Sequence, residues 1–373
     1  MNWMKYSIAL VCMLSMLATA YADDSKDFTK ESTEVFPVRE GALLNLENKY
    51  GTVSLETWDR PEMEVHLTIK VKASSESKAE EIFDMIDVSM SSDDDEVEIA
   101  TVFDTDYNDG GWWDKLFGDS YEGKYEVNYD VKLPSHSRLM LTNKYGHIHI
   151  KDDMIGKATI VNKYGNIYTQ NIAGDVRIDL GYGDAKLGAV QGLDLEVKYS
   201  KVYVAEANDA KMLTKYSSIK AGQLSSLHST SKYDNYTIES AEAVINEGKY
   251  DDFNIGTVGS LSIDSKYTDV DVNVLNKSMI IDGKYATATV HKTTASLERI
   301  AIEGKYTHIS LSVEHPFSLV FEGEYVKPRL PSGFDTVERI EEDDDISLRG
   351  HMGGRGGAKI SADMAYGSFK IRN

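Results

Sequence analysis

Histidine and carboxylate side chains are the first residues to test for chemistry in this sequence. His147 and His149 alternate on one short segment, and Asp152 and Asp153 follow in the next turn. Alternate residues of a β-strand share a face, so the two imidazoles can reach one metal ion. Because nothing in the sequence fixes a third ligand, solvated histidines are the favoured interpretation. We expect no metal site and no cofactor.

Two acidic segments are similar to calcium-binding loops. Residues 91–96 read Ser-Ser-Asp-Asp-Asp-Glu, which we interpret as a turn between two strands. Asp104, Asp106 and Asn108 copy the first ligands of an EF-hand loop, but Lys115 stands where the bidentate glutamate belongs. The sequence therefore predicts a turn at the first segment and no EF-hand at the second.

Catalytic motifs are the next class to test. The sequence has no nucleophile elbow, no zinc-helix motif and no Cys-His pair, and its single cysteine is Cys12. Asp269 and Asp271 are spaced like a pair of catalytic carboxylates, but they fit equally well as solvated residues on one strand face. We expect a protein that is not an enzyme. The alternative is a carbohydrate-active β-helix enzyme of the lyase or hydrolase type, although the rows between Leu193 and Val290 are too short for long catalytic loops.

The dipeptide Lys-Tyr organises the chain. It recurs every 17 residues from Lys198-Tyr199 to Lys266-Tyr267, and a fixed period of this kind predicts a solenoid of stacked repeats. Apolar residues alternate on both sides of each tyrosine, but the phase slips by one residue across it, which predicts two short strands per row joined at a bend or bulge just after the tyrosine. Stacked rows of this kind predict an all-β, parallel β-solenoid. The rule for parallel crossover connections favours a right-handed coil.

Side-chain columns follow from this alignment. The residue two before each tyrosine is usually small, and we expect the tyrosines to stack inside the coil, in a structural ladder. The alternative is an exposed aromatic stripe that stacks on sugar rings. Each lysine points outward beside a column of acids, which predicts a ladder of ion pairs. The ladder residues are Tyr145, Tyr164, Tyr199, Tyr216, Tyr233, Tyr250, Tyr267, Tyr285 and Tyr306.

The domain organisation has three parts. Residues 1–22 form a signal peptide, 23–134 a β-rich capping region with one helix at about 77–86, and 135–373 the solenoid. Rungs of 17 to 21 residues are expected, with an irregular loop or hairpin at about 335–358. Glu322 and Glu324, which lie two residues apart, repel each other and break the pattern of alternating acid and lysine. We therefore expect the array to end or change near Tyr325.

A cluster of aromatic residues interrupts the N-terminal region. Trp112, Trp113 and Phe117 lie among glycines and aspartates. Such a loop more often folds back to plug a core, but if exposed it is a possible interaction patch for a partner, a glycan or a lipid headgroup.

The net charge limits the possible partners, and the leader sequence indicates where the protein is sent. The formal net charge is −21, which argues against nucleic acid or anionic lipid. Lys5, an apolar run from Ile8 to Leu17 and small residues up to Ala22 are typical of a signal peptide. We expect export to the periplasm, the outer surface or the medium, with no transmembrane segment in the mature chain.

Three copies of Asn-Lys-Tyr-Gly, at 48–51, 143–146 and 162–165, carry a family resemblance. The chain resembles the bacterial putative-adhesin family of β-strand-repeat envelope proteins, which are uncharacterised and frequent in Bacteroidota. The resemblance implies a β-solenoid fold and an adhesin-like scaffold that binds a glycan or an envelope protein. It brings no catalytic residues, and the Lys-Tyr rows followed by Ser, Asp or Thr depart from its pattern.

The leader makes one direct prediction. Cleavage after Ala22 removes Lys5, the one charged residue of the leader, so the formal charge changes from −21 to −22. N-terminal sequencing of the protein expressed in a bacterial host should begin at Asp23. A mature chain that still begins at Met1 would contradict the export prediction.

Overall fold

The structure is a computed structural model that describes residues 25–103, 125–354 and 356–373. It divides into two compact units, 1–188 and 189–373. Over these described residues the fold is nearly all β, a β-solenoid with a single short helix, as the sequence predicts. The right-handed coil stays a prediction.

Unit 1 holds two sets of paired strands. One set contains β6, β2, β8, β10 and β12, all parallel, and the other contains β7, β3, β9, β11 and β13, also parallel. Antiparallel pairs β5–β6, β4–β7 and β1–β4 extend the two sets. The bounds are β1 (Lys26–Pro37), β2 (Leu43–Lys49), β3 (Val53–Trp58), β4 (Glu62–Ala73), β5 (Ile86–Ser92), β6 (Glu96–Phe103), β7 (Tyr125–Pro134), β8 (Arg138–Lys144), β9 (Ile148–Ile150), β10 (Ala158–Lys163), β11 (Ile167–Thr169), β12 (Val176–Gly181) and β13 (Asp184–Lys198).

The helix α1 (Glu76–Phe83) begins slightly before the predicted position. Ser75 is its N-cap, and the Ser75 hydroxyl accepts a hydrogen bond from the backbone N–H of Lys78. Ala79 and Phe83 are buried, and the Lys30 ammonium both pairs with Glu80 at 2.7 Å and lies over the Phe83 ring at 4.4 Å. These contacts hold the helix on the strands of unit 1.

The first Asn-Lys-Tyr-Gly copy belongs to a solenoid rung. Strand β2 pairs in parallel with β8, which places Asn48 opposite Asn143 and Lys49 opposite Lys144. The Asn48 amide donates to the carbonyl of Val127, and the Asn143 amide donates to the carbonyl of Gly51. The repeat is therefore present before residue 134 as well as after it.

Unit 2 contains the regular 17-residue rungs. Residues one period apart pair in register, for example Val202 with Ile219 and Lys215 with Lys232. The remaining strands are β14 (Lys201–Lys215), β15 (Ser218–Lys232), β16 (Asn235–Lys249), β17 (Asp252–Lys266), β18 (Asp269–Lys284), β19 (Thr287–Thr293), β20 (Arg299–Lys305), β21 (His308–Ser312), β22 (Phe317–Glu324), β23 (Phe334–Glu342), β24 (Asp345–Met352), β25 (Ala358–Ala365) and β26 (Ser368–Arg372).

The long strands β14 to β17 bend and keep the same register with one another on both sides of each bend, and β17 and β18 shift by one residue between Val258 and Ser260. In β14 the side chains of Val204, Ala207 and Ala210 are all buried, although they are three residues apart. Strict alternation would bury every second residue, so each interval of three marks a bend. The prediction of two short strands per row is therefore corrected: from β14 to β18, one strand of 15 or 16 residues joins successive tyrosines.

The array changes at its last rungs, as the Glu322 and Glu324 pair predicts. Strand β25 lies between β20 and β22, parallel to both, and β24 pairs with β22 in the antiparallel direction. Strand β23 then pairs with β24. Most of the stretch expected as an irregular loop or hairpin at about 335–358 is thus a β-hairpin formed by β23 and β24.

The tyrosine of each rung adopts a left-handed backbone conformation. Its φ angle is positive at thirteen tyrosines, from +52° at Tyr216 to +64° at Tyr50. This conformation costs an ordinary residue about 1–2 kcal/mol. The hydrogen-bond ladder still continues through the corner, since the N–H of Tyr233 donates to the carbonyl of Lys249 at 3.0 Å.

The left-handed corner can be tested at Tyr233. Tyr233→Ala loses the ring and keeps the unfavourable φ angle, whereas Tyr233→Gly loses the ring but relieves the backbone. We expect Ala to lower the free energy of unfolding by about 1 kcal/mol more than Gly, measured by urea denaturation.

Thr230 is the matched control, because it is exposed within β15. At Thr230 the order should reverse: Gly should lower the free energy of unfolding by about 0.5–1 kcal/mol more than Ala. The same order at both positions would show that the Tyr233 backbone is not left-handed in solution.

Candidate interaction surface and buried carboxylates

The tyrosines form a stacked column on the outside of each unit. In unit 2 the rings run Tyr199, Tyr216, Tyr233, Tyr250, Tyr267, Tyr285, Tyr306, Tyr366 and Tyr325, with neighbouring centroids 4.7 to 5.1 Å apart. In unit 1, Tyr50, Tyr145, Tyr164 and Tyr182 stack at 5.0 to 5.1 Å. The predicted ladder is confirmed. We call it the Tyr column.

The predicted position of the Tyr column inside the coil is wrong. At eleven of the thirteen tyrosines the exposed fraction lies between 38%, as at Tyr145, and 53%, as at Tyr182, whereas Tyr50 and Tyr366 are half-buried. Alternation along an extended strand would place Lys outside and Tyr inside. At a left-handed residue this alternation fails, so both side chains lie outside and the next residue turns inward. Ser217, which follows Tyr216, is 7% exposed.

At most corners, a small residue two before the tyrosine makes room for that inward residue. A Cβ at Gly248 would collide with the carboxylate of Asp251, and a Cβ at Gly304 would press on Thr307. Ser265 hydrogen-bonds Thr268 in the same way. Where glycine follows the tyrosine, the backbone itself fills the corner: a Cβ at Gly146 would collide with the carbonyl oxygen of Gly51.

The lysines before the tyrosines mostly lie over aromatic rings. Lys144, Lys215, Lys232, Lys284 and Lys305 each place the ammonium 4.9 to 5.8 Å from the ring of the following tyrosine. The expected ion pairs occur at Lys163–Asp179 and Lys198–Glu196, at 2.6 and 2.8 Å. The acidic column does run beside the lysines. The lysines of this column therefore form cation–π contacts more often than the predicted ion pairs.

Stacking determines what the Tyr column can bind. Planes of neighbouring rings differ by only 3° to 10° from Tyr199 to Tyr306, so each interior ring has both faces covered by tyrosine. A sugar ring cannot reach those faces. The column instead offers ring edges, phenol hydroxyls and nearby ammonium groups at every rung.

Two carboxylates are buried in the corners of unit 2. Asp234 and Asp251 are 3% and 1% exposed. Asp234 accepts hydrogen bonds from the Thr214 hydroxyl at 2.8 Å and from the backbone N–H of Ser217 at 2.6 Å. Asp251 accepts from the Ser231 hydroxyl at 2.8 Å and from the backbone N–H of Asp234 at 2.9 Å. The aspartates thus tie successive corners together.

Burial disfavours the charged form of these groups. It raises the pKa of Asp251 to about 6, against the effect of its hydrogen-bond donors, and it also raises the pKa of Asp234. Tyr236 is buried beside them, and its hydroxyl is 2.6 Å from the Thr214 hydroxyl. Burial also raises the pKa of Tyr236. The sequence does show the signal of this network: among the corner tyrosines, aspartate follows only Tyr233 and Tyr250, and the residues two before them, Ser231 and Gly248, are small.

The remaining sequence candidates have structural partners. His147 Nδ1 lies 3.1 Å from the N–H of Asn166, and His149 stacks on Tyr168 at 4.9 Å. Asp271 faces His291 at 2.9 Å. Within the described ranges, no group of three histidine, cysteine or acidic side chains is placed to hold a metal ion.

The acidic segment near residue 93 is a hairpin turn. The Asp93 carboxylate accepts from the N–H groups of Asp95 and Glu96, both at 2.9 Å. The predicted turn between β5 and β6 is confirmed. Trp112, Trp113 and Phe117 lie outside the described residues, as do Asp104, Asp106 and Asn108, so the interaction patch stays a prediction.

Comparisons with known proteins add little. No protein-family model and no curated protein matches the chain. The crystal structure of a "putative cell adhesion protein" from Clostridium sporogenes aligns with 92% of this chain and 99% of its own, at 10% identity and a TM-score of 0.19. Similarity at that TM-score supports no conclusion. In the part of the chain that the structure describes, no helix has the length and apolar character needed to cross a membrane.

The buried carboxylates predict a pH-dependent stability. The folded state holds the Asp251 proton up to about pH 6, whereas the ordinary pKa is 3.8. The free energy of unfolding therefore falls as pH rises through this window, by about 1–3 kcal/mol. Urea denaturation between pH 4 and pH 7 should show this component in the native protein and lose it in Asp251→Asn.

Asp252→Asn is the control, because it removes the same charge from an exposed neighbour. It should keep the pH dependence that Asp251→Asn loses. Equal pH profiles of the two variants would show that Asp251 has an ordinary pKa in the folded protein.

Proposed function

We propose that this protein is a non-enzymatic, adhesin-like interaction scaffold of the bacterial envelope or surface. The observation that supports it best is the exposed Tyr column with its lysines, repeated at every rung of a hydrogen-bonded sheet. Solenoids present such extended surfaces to their partners. Tyrosine is also enriched at protein interfaces, because its ring is rigid and its hydroxyl remains available for hydrogen bonds.

Repetition favours a partner that is itself extended or multivalent. Each rung offers one phenol hydroxyl, and most offer one ammonium group, so the single contacts are weak and their sum depends on how many engage together. A glycan chain or an envelope protein meets this requirement. Export by the signal peptide would deliver the scaffold to such partners, and the family resemblance of the Asn-Lys-Tyr-Gly motifs agrees with this assignment.

Binding and localisation test the proposal together. Fractionation and surface protease shaving should place the mature chain in the envelope or outside the cell. The mature chain should then bind members of a glycan array or isolated envelope proteins. Replacing Tyr216, Tyr233 and Tyr250 with Phe keeps the stack and removes three hydroxyls, so binding through the column should weaken while the unfolding midpoint changes little.

Two results would contradict the scaffold proposal. One is the absence of binding to every glycan and envelope fraction, together with unchanged attachment and envelope integrity in a deletion strain. The other is polysaccharide cleavage that a single carboxylate substitution, such as Asp271→Asn, abolishes. The latter would establish the carbohydrate-active enzyme instead.

A further inference from the structure

Unit 1 has a polar concavity on the outward face of strands β1, β4, β7 and β3. Its volume is about 330 Å³. That volume lies within the range of about 300–1,000 Å³ typical of ligand clefts. We call it the β3–β4–β7 concavity. Its lining residues are Thr33, Ser54, Glu56, Glu64, His66, Asp130, Val131, Lys132 and Lys151.

Strand register brings the lining residues together. His66 on β4 is opposite Asp130 on β7, and Asp130 is opposite Ser54 on β3. In the next row, Lys132 on β7 lies between Glu64 on β4 and Glu56 on β3. Because alternate residues of a strand share a face, both rows point outward together.

The charges of the concavity are already paired. Lys132 lies 2.9 Å from Glu64, and Lys151 lies 2.7 Å from Glu56 and 3.9 Å from Asp130. The hydrogen bond from Lys151 lowers the pKa of Glu56, and the same bond raises the pKa of Lys151. Glu56 and Lys151 are therefore both charged at neutral pH, and each of the five groups lies within ion-pair distance of a group of opposite sign.

This pairing selects the chemistry of a ligand. An ionic ligand has to compete with Glu56 or Glu64 for a lysine, or with a lysine for a carboxylate, and it leaves the displaced charge without its partner. A neutral polyol does not have to displace any of these charged groups. Its hydroxyls donate to the free lone pairs of the carboxylates and accept from the remaining ammonium protons while both ion pairs stay intact.

An apolar surface borders the polar one. The Lys132 ammonium lies 5.6 Å from the centre of the Trp58 ring, so the lysine that lines the concavity also covers part of this indole. The Arg60 guanidinium lies over the same indole at 4.8 Å, so the carbon surface beside the hydrogen-bonding groups is the stem of Lys132. Saccharides combine hydroxyls with apolar C–H faces, which matches this arrangement.

We infer that the β3–β4–β7 concavity binds a neutral saccharide unit, through hydrogen bonds to Glu56, Asp130 and Lys151 and to the Glu64–Lys132 pair. The inference rests on the proposed function, since it names the ligand class of the scaffold and adds a site apart from the Tyr column. It requires no change in the ion pairs that the structure shows.

The test uses the mature full-length chain and arrays of neutral, uronic or sulfated, and amino-sugar oligosaccharides. We expect binding to neutral members, with an affinity that changes little between low and high ionic strength. Isothermal titration with the best neutral oligosaccharide should show at least about a tenfold loss of affinity for Lys151→Gln and for Glu64→Gln.

Lys157→Gln is the matched control. Lys157 forms an ion pair of the same length with Asp175, 2.7 Å, in the same unit but outside the concavity. The affinity of the Lys157→Gln variant for the oligosaccharide should equal that of the native protein. Urea denaturation midpoints of the three variants show whether each one folds.

The outcomes separate this inference from the proposed function. Binding that falls with the Tyr216, Tyr233 and Tyr250 substitutions, but not with Lys151→Gln or Glu64→Gln, leaves the scaffold proposal standing and overturns the saccharide site. Binding restricted to charged oligosaccharides, or lost at high ionic strength, also overturns it. Absence of binding to every oligosaccharide overturns the saccharide site, and it contradicts the scaffold proposal only if envelope fractions also fail to bind and the deletion strain is unchanged.

Discussion

The left-handed tyrosine at each corner is the constraint on which the rungs depend. A bulky residue with φ near +58° costs about 1–2 kcal/mol, and glycine would avoid that cost. Tyrosine is retained because each interior ring stacks on two others, and aromatic pairs contribute about 0.5–1.5 kcal/mol each beyond their buried area. The two effects are of similar size. A single rung would gain nothing from the tyrosine, so the corner is stable only in an array.

The corner also links residues on either side of the tyrosine. Because the residue after Tyr turns inward, its volume must match that of the residue two before Tyr. Three different residue combinations fill this corner volume: Asn143 with Gly146, Ser231 with Asp234, and Gly283 with Ala286. In the first type an asparagine amide bonds the neighbouring rung's backbone, and in the second a short polar side chain does so. Burying an aspartate is the costly variant, since its charge is disfavoured there.

Much of the fold could be predicted from the sequence. The 17-residue period fixes the register of Val202 with Ile219, and Glu322 beside Glu324 marks the change in the array. The position of the tyrosines could not be predicted by the same reasoning. Alternation assumes an extended backbone throughout, and a positive φ at a non-glycine residue is too rare to expect. The concavity of unit 1 was missed for another reason: Ser54, His66 and Asp130 are distant in sequence, and only the pairing of three strands brings them together.

The same backbone geometry explains why the most repeated residues make a restricted binding surface. Strand spacing sets the ring spacing, and at about 5 Å the rings close against one another. Their faces, which are the part of an aromatic ring that sugars and cations use, are therefore occupied by tyrosine and by lysine. What remains is a line of edges and hydroxyls, suited to many weak contacts. A site that holds one ligand unit needs a concavity with converging groups, and in unit 1 the outward faces of β3, β4 and β7 provide one. Repetition therefore builds the column, while the irregular pairing of unit 1 builds the more selective surface.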